Sequence, residues 1–150
     1  MIDGVIVQDL KQISDERGKV MHMLRCDSPL FEKFGEIYFS IINPCVVKAW
    51  KRHRRMTQNI VVPTGRIKLV IYDDREGVTS FGKAEVIEIG EDNYCIVRIP
   101  PLIWYGFQCI SSKQALIANC TDILHDPDEA ENRDLQDSFV PYQWHIENKR

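Results

Sequence analysis

The stretch VKAWKRHRRMTQNIVVPTG, residues 47–65, decides how this sequence is interpreted. Basic and hydrogen-bonding side chains stand there between apolar ones, and a β-branched run then ends in a Pro-Thr-Gly turn. Because alternate side chains of an extended strand share one face, Lys51 and His53 are predicted to point the same way. A strand that directs a lysine and a histidine into one cavity suggests a site.

Length and charge limit the classes of protein that fit. The 150 residues suit one domain over 1–150, with a barrel core at about 4–124 and a tail at 125–150. The net charge of −3 argues against a general nucleic-acid partner. Without a signal-like N-terminus or a stretch of about 20 apolar residues, no membrane contact is expected. Five cysteines without a C-x-x-C pair are typical of reduced thiols, which predicts a cytoplasmic protein.

The rest of the chain predicts many short strands bounded by turn residues. They fall at 4–13, 20–25, 37–42, 46–51, 59–62, 67–72, 84–89, 94–99, 106–110 and 115–120. This pattern is typical of an antiparallel all-β sandwich or barrel. One short helix is predicted over Leu30–Phe34, before Gly35. In the polar tail, Phe139 and Trp144 are expected to pack back on the barrel or on a partner subunit.

The spacing of the central stretch resembles the first cupin motif. Cupins have H-x-H, a glutamate and a glycine at the intervals of Lys51-x-His53, Gln58 and Gly65. The resemblance implies an all-β cupin double-stranded β-helix, a jelly-roll barrel, with a short C-terminal extension. Metal-binding cupins add a later histidine, and Tyr105 occupies that position. Since a lysine ammonium does not ligate a cation, we expect no metal and no cofactor.

Six segments, in order, resemble the dTDP-4-dehydrorhamnose 3,5-epimerase family. They are DERG at 15–18, VVKAWK at 46–51, Gly65 with YDDR at 72–75, SFGK at 80–83, IPPLIWYGF at 99–107, and Thr121 with DPDE at 126–129. A partial resemblance to the dTDP-sugar 3,4-ketoisomerases rests on Lys51-x-His53 followed by Gln58, where those enzymes have H-x-H and then Gln.

The family resemblance implies a nucleoside-diphosphate 4-keto-6-deoxy sugar in the barrel of a homodimer that exchanges N-terminal strands. Arg17 takes the place of the D-x-R-G arginine, which contacts the nucleotide and often reaches into the neighbouring subunit. Lys48 takes the place of an arginine that contacts phosphate, and charge alone allows either residue to do this. The resemblance also implies substrate contacts; these would come from Tyr38, Gln58, Trp104 and Glu129.

The departures from the family fall on its chemistry, and three hypotheses stay open. Epimerisation beside a ketone needs a base and an acid, which in the family are a histidine and a tyrosine; Lys51 replaces the histidine, and strand 115–120 has no tyrosine. In the first hypothesis Lys51 is the base, and Tyr105 or His53 is the acid. In the second, a ketoisomerase uses His53 to move a proton between adjacent carbons. In the third, the chain binds a sugar nucleotide without turning it over.

Overall fold

Residues 1–146 are described by the structure, a computed structural model, and they form twelve short strands and one 3₁₀ turn. The strands are β1 Ile6–Asp9, β2 Gln12–Asp15, β3 Gly18–Met21, β4 Glu36–Ile42, β5 Val47–His53, β6 Gln58–Thr64, β7 Arg66–Tyr72, β8 Ala84–Gly90, β9 Cys95–Ile99, β10 Trp104–Cys109, β11 Ala115–Thr121 and β12 Ala130–Asn132. The 3₁₀ turn is Pro127–Glu129. The all-β prediction is confirmed.

Two five-stranded sheets face each other. One has the order β1-β9-β6-β11-β4 and the other β12-β5-β10-β7-β8, with every pairing antiparallel, while β2 and β3 form a separate hairpin. This is the jelly-roll arrangement expected from many short strands with turn residues between them. The hairpin turns at Asp15–Gly18.

One half of the space between the sheets is filled by an apolar core. Its members are mostly aliphatic and fully buried, and they include Ile42, Val62, Ile67, Leu69, Ile71, Val97, Ile99 and Ile103. The other half is lined by polar and apolar side chains together and stays open. The apolar half fixes the separation of the sheets, and the open half becomes the site.

The predicted helix at Leu30–Phe34 is wrong: the segment is a turn followed by irregular chain. A helix of five residues has too few internal hydrogen bonds to repay its nucleation. Tertiary contacts hold the segment instead. Leu30 is buried in a cluster with Val61 and Ile96, and Arg98 forms an ion pair with Glu32.

The tail packs on the outer face of the β5–β10–β7 sheet, which confirms the expectation for its two aromatics. Phe139 and Trp144 contact Trp50, with ring centroids 6.5 and 5.2 Å apart. The tail also supplies β12, which pairs with β5 and was not predicted. Residues 147–150 of the predicted tail lie outside the described residues.

Candidate active site

A cavity of about 420 Å³ occupies the open half of the barrel. Ligand pockets for small molecules have volumes of about 300–1,000 Å³, so it can admit a sugar. Both sheets contribute to its lining, which comprises Tyr38, Ser40, Lys48, Ala49, Trp50, Lys51, Gln58, Ile60, Tyr105, Phe107, Ile117, Asn119 and Asn132.

One wall is built by β5 and β10. Lys51 is paired with Tyr105 in the antiparallel ladder, so the two side chains enter the cavity side by side. The strands approach each other closely at Gly106, where a Cβ would lie 2.5 Å from the Cβ of Ala49. Lys48 also lines this wall and is exposed, which places its positive charge near solvent.

Behind Tyr105 lies a buried histidine–carboxylate pair. His53 is 4% exposed, and its Nδ1 is bonded to Oε1 of Glu129. The Glu129 carboxylate also accepts backbone N–H groups from Arg55 at 2.9 Å and Met56 at 3.2 Å. The other ring nitrogen of His53, Nε2, is 3.4 Å from Oη of Tyr105. A carboxylate, an imidazole and a phenol are therefore connected in a row.

Burial and charge set the protonation of this pair. Burial lowers the pKa of His53, and the positive charge of Lys51 acts in the same direction, although Glu129 opposes both. Burial alone would raise the pKa of Glu129, but the N–H group of Arg55 and the bond to His53 prevail and lower it. At neutral pH the histidine is thus neutral and the glutamate ionised. Because a carboxylate only accepts, the histidine hydrogen is on Nδ1 and Nε2 is an acceptor.

The opposite wall is built by β4, β6 and β11. Asn119 on β11 is directly opposite Tyr38 on β4 in the ladder, and its Nδ2 donates to Oη of Tyr38 at 2.9 Å. The same Nδ2 donates to Oε1 of Gln58 at 2.9 Å. Two buried amides and a phenol thus form one network on this wall. Strand β11 has no tyrosine of its own, but its Asn119 holds Tyr38 of β4 in the cavity.

Both phenols have pKa values above the usual range for tyrosine. Burial raises the pKa of Tyr38, and the hydrogen bond from Asn119 opposes this shift. Burial raises the pKa of Tyr105 further, against the effect of a hydrogen bond with Gln58.

Five of the residues singled out from the sequence line the cavity together. They are Tyr38, Lys48, Lys51, Gln58 and Tyr105. His53 lies one layer behind, in contact with Tyr105. Arg17 is on the β2–β3 hairpin, where its side chain is 83% exposed and paired with Asp15, and its own chain does not bring it to the cavity.

Two predicted substrate contacts, Trp104 and Glu129, do not line the cavity. Trp104 points away from the cavity, because Tyr105 points inward and adjacent strand residues face opposite sides. Its Nε1 donates to Asp74 at 2.9 Å on the outer face. Glu129 is buried behind His53 and supports that ring instead of lining the cavity.

Asn119 and Asn132 line the cavity and were missed. The alternation of β11 could have placed Asn119 on the inner face, but only the pairing of β11 with β4 shows what it holds. Asn132 enters through β12, a strand that the sequence does not signal.

Two further features bear on the class of protein. Within residues 1–146 no group of three or more His, Cys, Asp or Glu side chains is arranged to hold a metal ion. Across the same residues no helix is long and apolar enough to cross a membrane.

An antiparallel jelly-roll barrel with a tyrosine-lined cavity between its sheets is a cupin-type fold, and a cavity of this size is typical of small-molecule sites. The particular family follows from comparison with known proteins. The family model for dTDP-4-dehydrorhamnose 3,5-epimerase matches residues 1–150, and the chain belongs to that family.

Three relatives illustrate the match. A solved structure described as a dTDP sugar isomerase from Desulfovibrio desulfuricans G20 is 48% identical, with a TM-score of 0.92 over 95% of this chain and 91% of that one. A Haloferax volcanii protein, "Probable low-salt glycan biosynthesis epimerase Agl13", is 38% identical over 85% of each chain. The spore coat polysaccharide biosynthesis protein SpsL of Bacillus subtilis is 32% identical over 98% of this chain and 99% of its own.

Proposed function

We propose that this chain is an isomerase of a nucleoside-diphosphate 4-keto-6-deoxy sugar, with dTDP as the leading nucleotide, and that it moves a proton at a carbon beside the ketone. The observation that carries the proposal is that proton-transfer groups stand on both walls of one cavity. Tyr105, backed by His53, belongs to one sheet, and Tyr38 belongs to the other. Inversion at carbon needs a base on one face and an acid on the other.

Lys51, which replaces the family histidine, can stabilise the charge that develops in this reaction. Removal of a proton beside a ketone leaves negative charge on the keto oxygen, and a fixed positive charge in a buried site stabilises it. Lys51 lines the same wall as Tyr105 and supplies such a charge. We assign Lys51 this electrostatic role in preference to that of the base, because the neutral His53 offers a proton acceptor that needs no prior loss of charge.

Binding of the diphosphate is assigned to cationic groups at the mouth of the cavity. Lys48 lines the rim and is exposed, so its ammonium can reach a phosphate that remains partly hydrated. The names of two relatives place them in glycan or polysaccharide biosynthesis. We propose that this chain has a comparable role, in the cytoplasm.

We further propose a homodimer in which Arg17 serves the partner's cavity. Arg17 is exposed at the turn of the β2–β3 hairpin, which is separate from the two five-stranded sheets. The edge strand β4 presents Ile37, Phe39 and Ile41 outward, and Phe39 is 64% exposed. An apolar stripe of this kind on a sheet edge favours coverage by another chain.

The dimer proposal is tested by mixing two inactive variants, Lys51→Met and Arg17→Ala. A hybrid dimer would carry one site with both residues intact, so co-refolding equal amounts should restore about a quarter of the wild-type activity. Mixing Lys51→Met with Lys51→Arg is the matched control, because neither chain supplies the lysine. Activity that stays at the level of the separate variants would mean that Arg17 does not act across subunits.

The proposed reaction is tested by solvent exchange. The protein is incubated in D₂O with dTDP-4-keto-6-deoxyglucose, and C3 and C5 of the sugar are followed by NMR. Deuterium at these carbons with inversion is expected. Migration of the carbonyl to C3 would instead identify a 3,4-ketoisomerase, the alternative that Lys51-x-His53 and Gln58 favour.

Binding without exchange is the outcome that contradicts catalysis. If a panel of 4-keto-sugar nucleotides binds and none exchanges, the chain is a sugar-nucleotide-binding protein of this fold. The Tyr72→Phe variant is a suitable control for general damage, because Tyr72 packs in the outer-face cluster, away from the cavity.

A further inference from the structure

The cavity contains two tyrosine hydroxyls on facing sheets, and each has a side-chain amide beside it. Oη of Tyr38 accepts from Nδ2 of Asn119, and Tyr105 interacts with Gln58. Both amides belong to one network, since Asn119 also donates to Gln58. A phenol oxygen that accepts an N–H keeps its own hydrogen for another partner. The role of each tyrosine therefore depends on which group accepts its hydroxyl hydrogen.

The hydrogen of Tyr105 has an acceptor. His53 donates its Nδ1 hydrogen to Glu129, so its Nε2, 3.4 Å from Oη of Tyr105, carries a lone pair. The Glu129 carboxylate fixes the direction of the hydrogen bonds from Tyr105 through His53, because it can only accept. It also accepts two backbone N–H groups. A proton that leaves Tyr105 therefore has a prepared destination inside the protein.

The hydrogen of Tyr38 has no such destination. Among the side chains that the structure describes, Asn119 is the hydrogen-bond partner of Oη of Tyr38, and it donates. The hydroxyl hydrogen of Tyr38 is thus left for whatever occupies the cavity that the residue lines. The two phenols are chemically alike, but the hydroxyl hydrogen of Tyr105 faces Nε2 of His53 and that of Tyr38 is left for the cavity.

We propose that the two tyrosines have opposite roles: Tyr105 removes the carbon-bound proton from the sugar, and Tyr38 returns one from the opposite wall. His53 and Glu129 act through Tyr105 and are positioning residues. This inference rests on the proposed function and names the residues that perform it.

The step balances without a redox partner. The C–H bond beside the ketone breaks, its proton goes to Oη of Tyr105, and the Tyr105 hydrogen passes to Nε2 of His53. The electron pair of the C–H bond enters the C=C bond of an enolate, and the negative charge moves to the keto oxygen near Lys51. Tyr38 then gives its hydroxyl proton to the carbon. Solvent reprotonates Tyr38 and takes the extra proton from His53.

The pH dependence of this relay depends on the groups that face His53. These are Glu129, Lys51, His125 and Tyr105. Burial lowers the pKa of His53 below the usual value of 6.5, so the relay is intact at neutral pH and fails on the acid side when Nε2 binds a proton. Replacing Glu129 by Gln removes a charge that favours protonation, so the acid limb should move to lower pH.

The roles are tested with Tyr38→Phe, Tyr105→Phe and the control Tyr72→Phe, each with dTDP-4-keto-6-deoxyglucose in D₂O. Tyr105→Phe should lose deprotonation, and exchange should fall about 10²–10⁴-fold. Tyr38→Phe should still exchange, because the base is intact, but the deuterium should return to the face from which the proton left. Exchange with retention, without inversion, is therefore the expected signature of Tyr38→Phe.

The reverse pattern would overturn the assignment: exchange that survives in Tyr105→Phe and disappears in Tyr38→Phe. A wild-type protein that exchanges no 4-keto sugar at all would instead contradict the proposed function. Glu129→Gln separates positioning from folding, because an acid limb that moves down in pH with KM unchanged supports the relay, and an unmoved limb contradicts it. If that variant does not fold, His53→Gln with the same pH series takes its place, and an acid limb that persists in it overturns the relay.

Discussion

The two faces of the β5–β10 pair are built from adjacent residues and have opposite properties. Inward, Lys51 and Tyr105 line a polar cavity. Outward, Trp104 is buried under the tail with Val140, and Trp50 belongs to the same cluster while it also lines the cavity. Between Trp104 and Tyr105 the boundary is a single peptide unit, because neighbouring side chains of a strand point to opposite sides. Residue type alone therefore does not assign a side chain to the site.

The largest effect is expected on the outer face. Trp104→Ala removes an indole that packs on Phe139 at 5.0 Å and donates to Asp74. The unfolding free energy should fall by about 3–5 kcal/mol, as for other buried aromatic truncations. Chemical denaturation measures the loss, and the activity of the fraction that remains folded should be close to wild type. If the folded fraction selectively lost substrate binding, Trp104 would be a substrate contact.

Lys51→Met should give the opposite result on the inner face. The aliphatic stem is kept, so stability should change by less than about 1 kcal/mol. Loss of the positive charge beside the developing enolate should lower kcat by about 10²–10³-fold. Lys48→Met is the matched control, because it removes an equal charge from the rim and should raise KM with a smaller effect on kcat. Equal kinetics for the two variants would contradict separate roles.

Acid should destabilise the inner face selectively. Burial lowers the pKa of His53 in the folded chain. Below about pH 6.5 the unfolded chain therefore binds a proton that the folded chain does not, and the free energy of unfolding decreases as the pH is lowered. The pKa of Glu129 is also lowered, which adds a loss of the same sign below about pH 4.5. In urea titrations between pH 8 and 5, His53→Gln should show a weaker pH dependence than wild type. An unchanged slope would mean that His53 is not the group that titrates.

The smallest effect is expected for the cation on the outer face. Arg52 lies over the Trp104 ring, with its guanidinium 4.7 Å from the centroid, and forms ion pairs with Asp74 and Glu131. Arg52→Met keeps much of the stacking surface and should cost about 1 kcal/mol, measured by thermal unfolding at low and high salt. Most of that difference should disappear at high salt. A change in kcat would show that the two faces are not independent.

Much of the barrel followed from local chemistry. The β-branched runs at β4, β6, β7, β8 and β11 and the turn residues between them predicted these strands with small errors at their ends. The wrong helix at Leu30–Phe34 and the missing β12 share one cause. Both segments are short and take their conformation from contacts with distant residues, such as Ile96 beneath Leu30 and β5 beside β12.

The sequence alone determined which residues were available for the site. The alternation around Lys51 and His53 is a property of any extended strand, so their common face was predictable, and the order of the six motifs identified the family. Only the tertiary structure decided the roles. The pairing of β11 with β4 brings Tyr38 to Asn119, and the return of the tail brings Glu129 to His53 across 76 residues. Hydrogen-bond direction depends on these long-range contacts, and no local pattern encodes it.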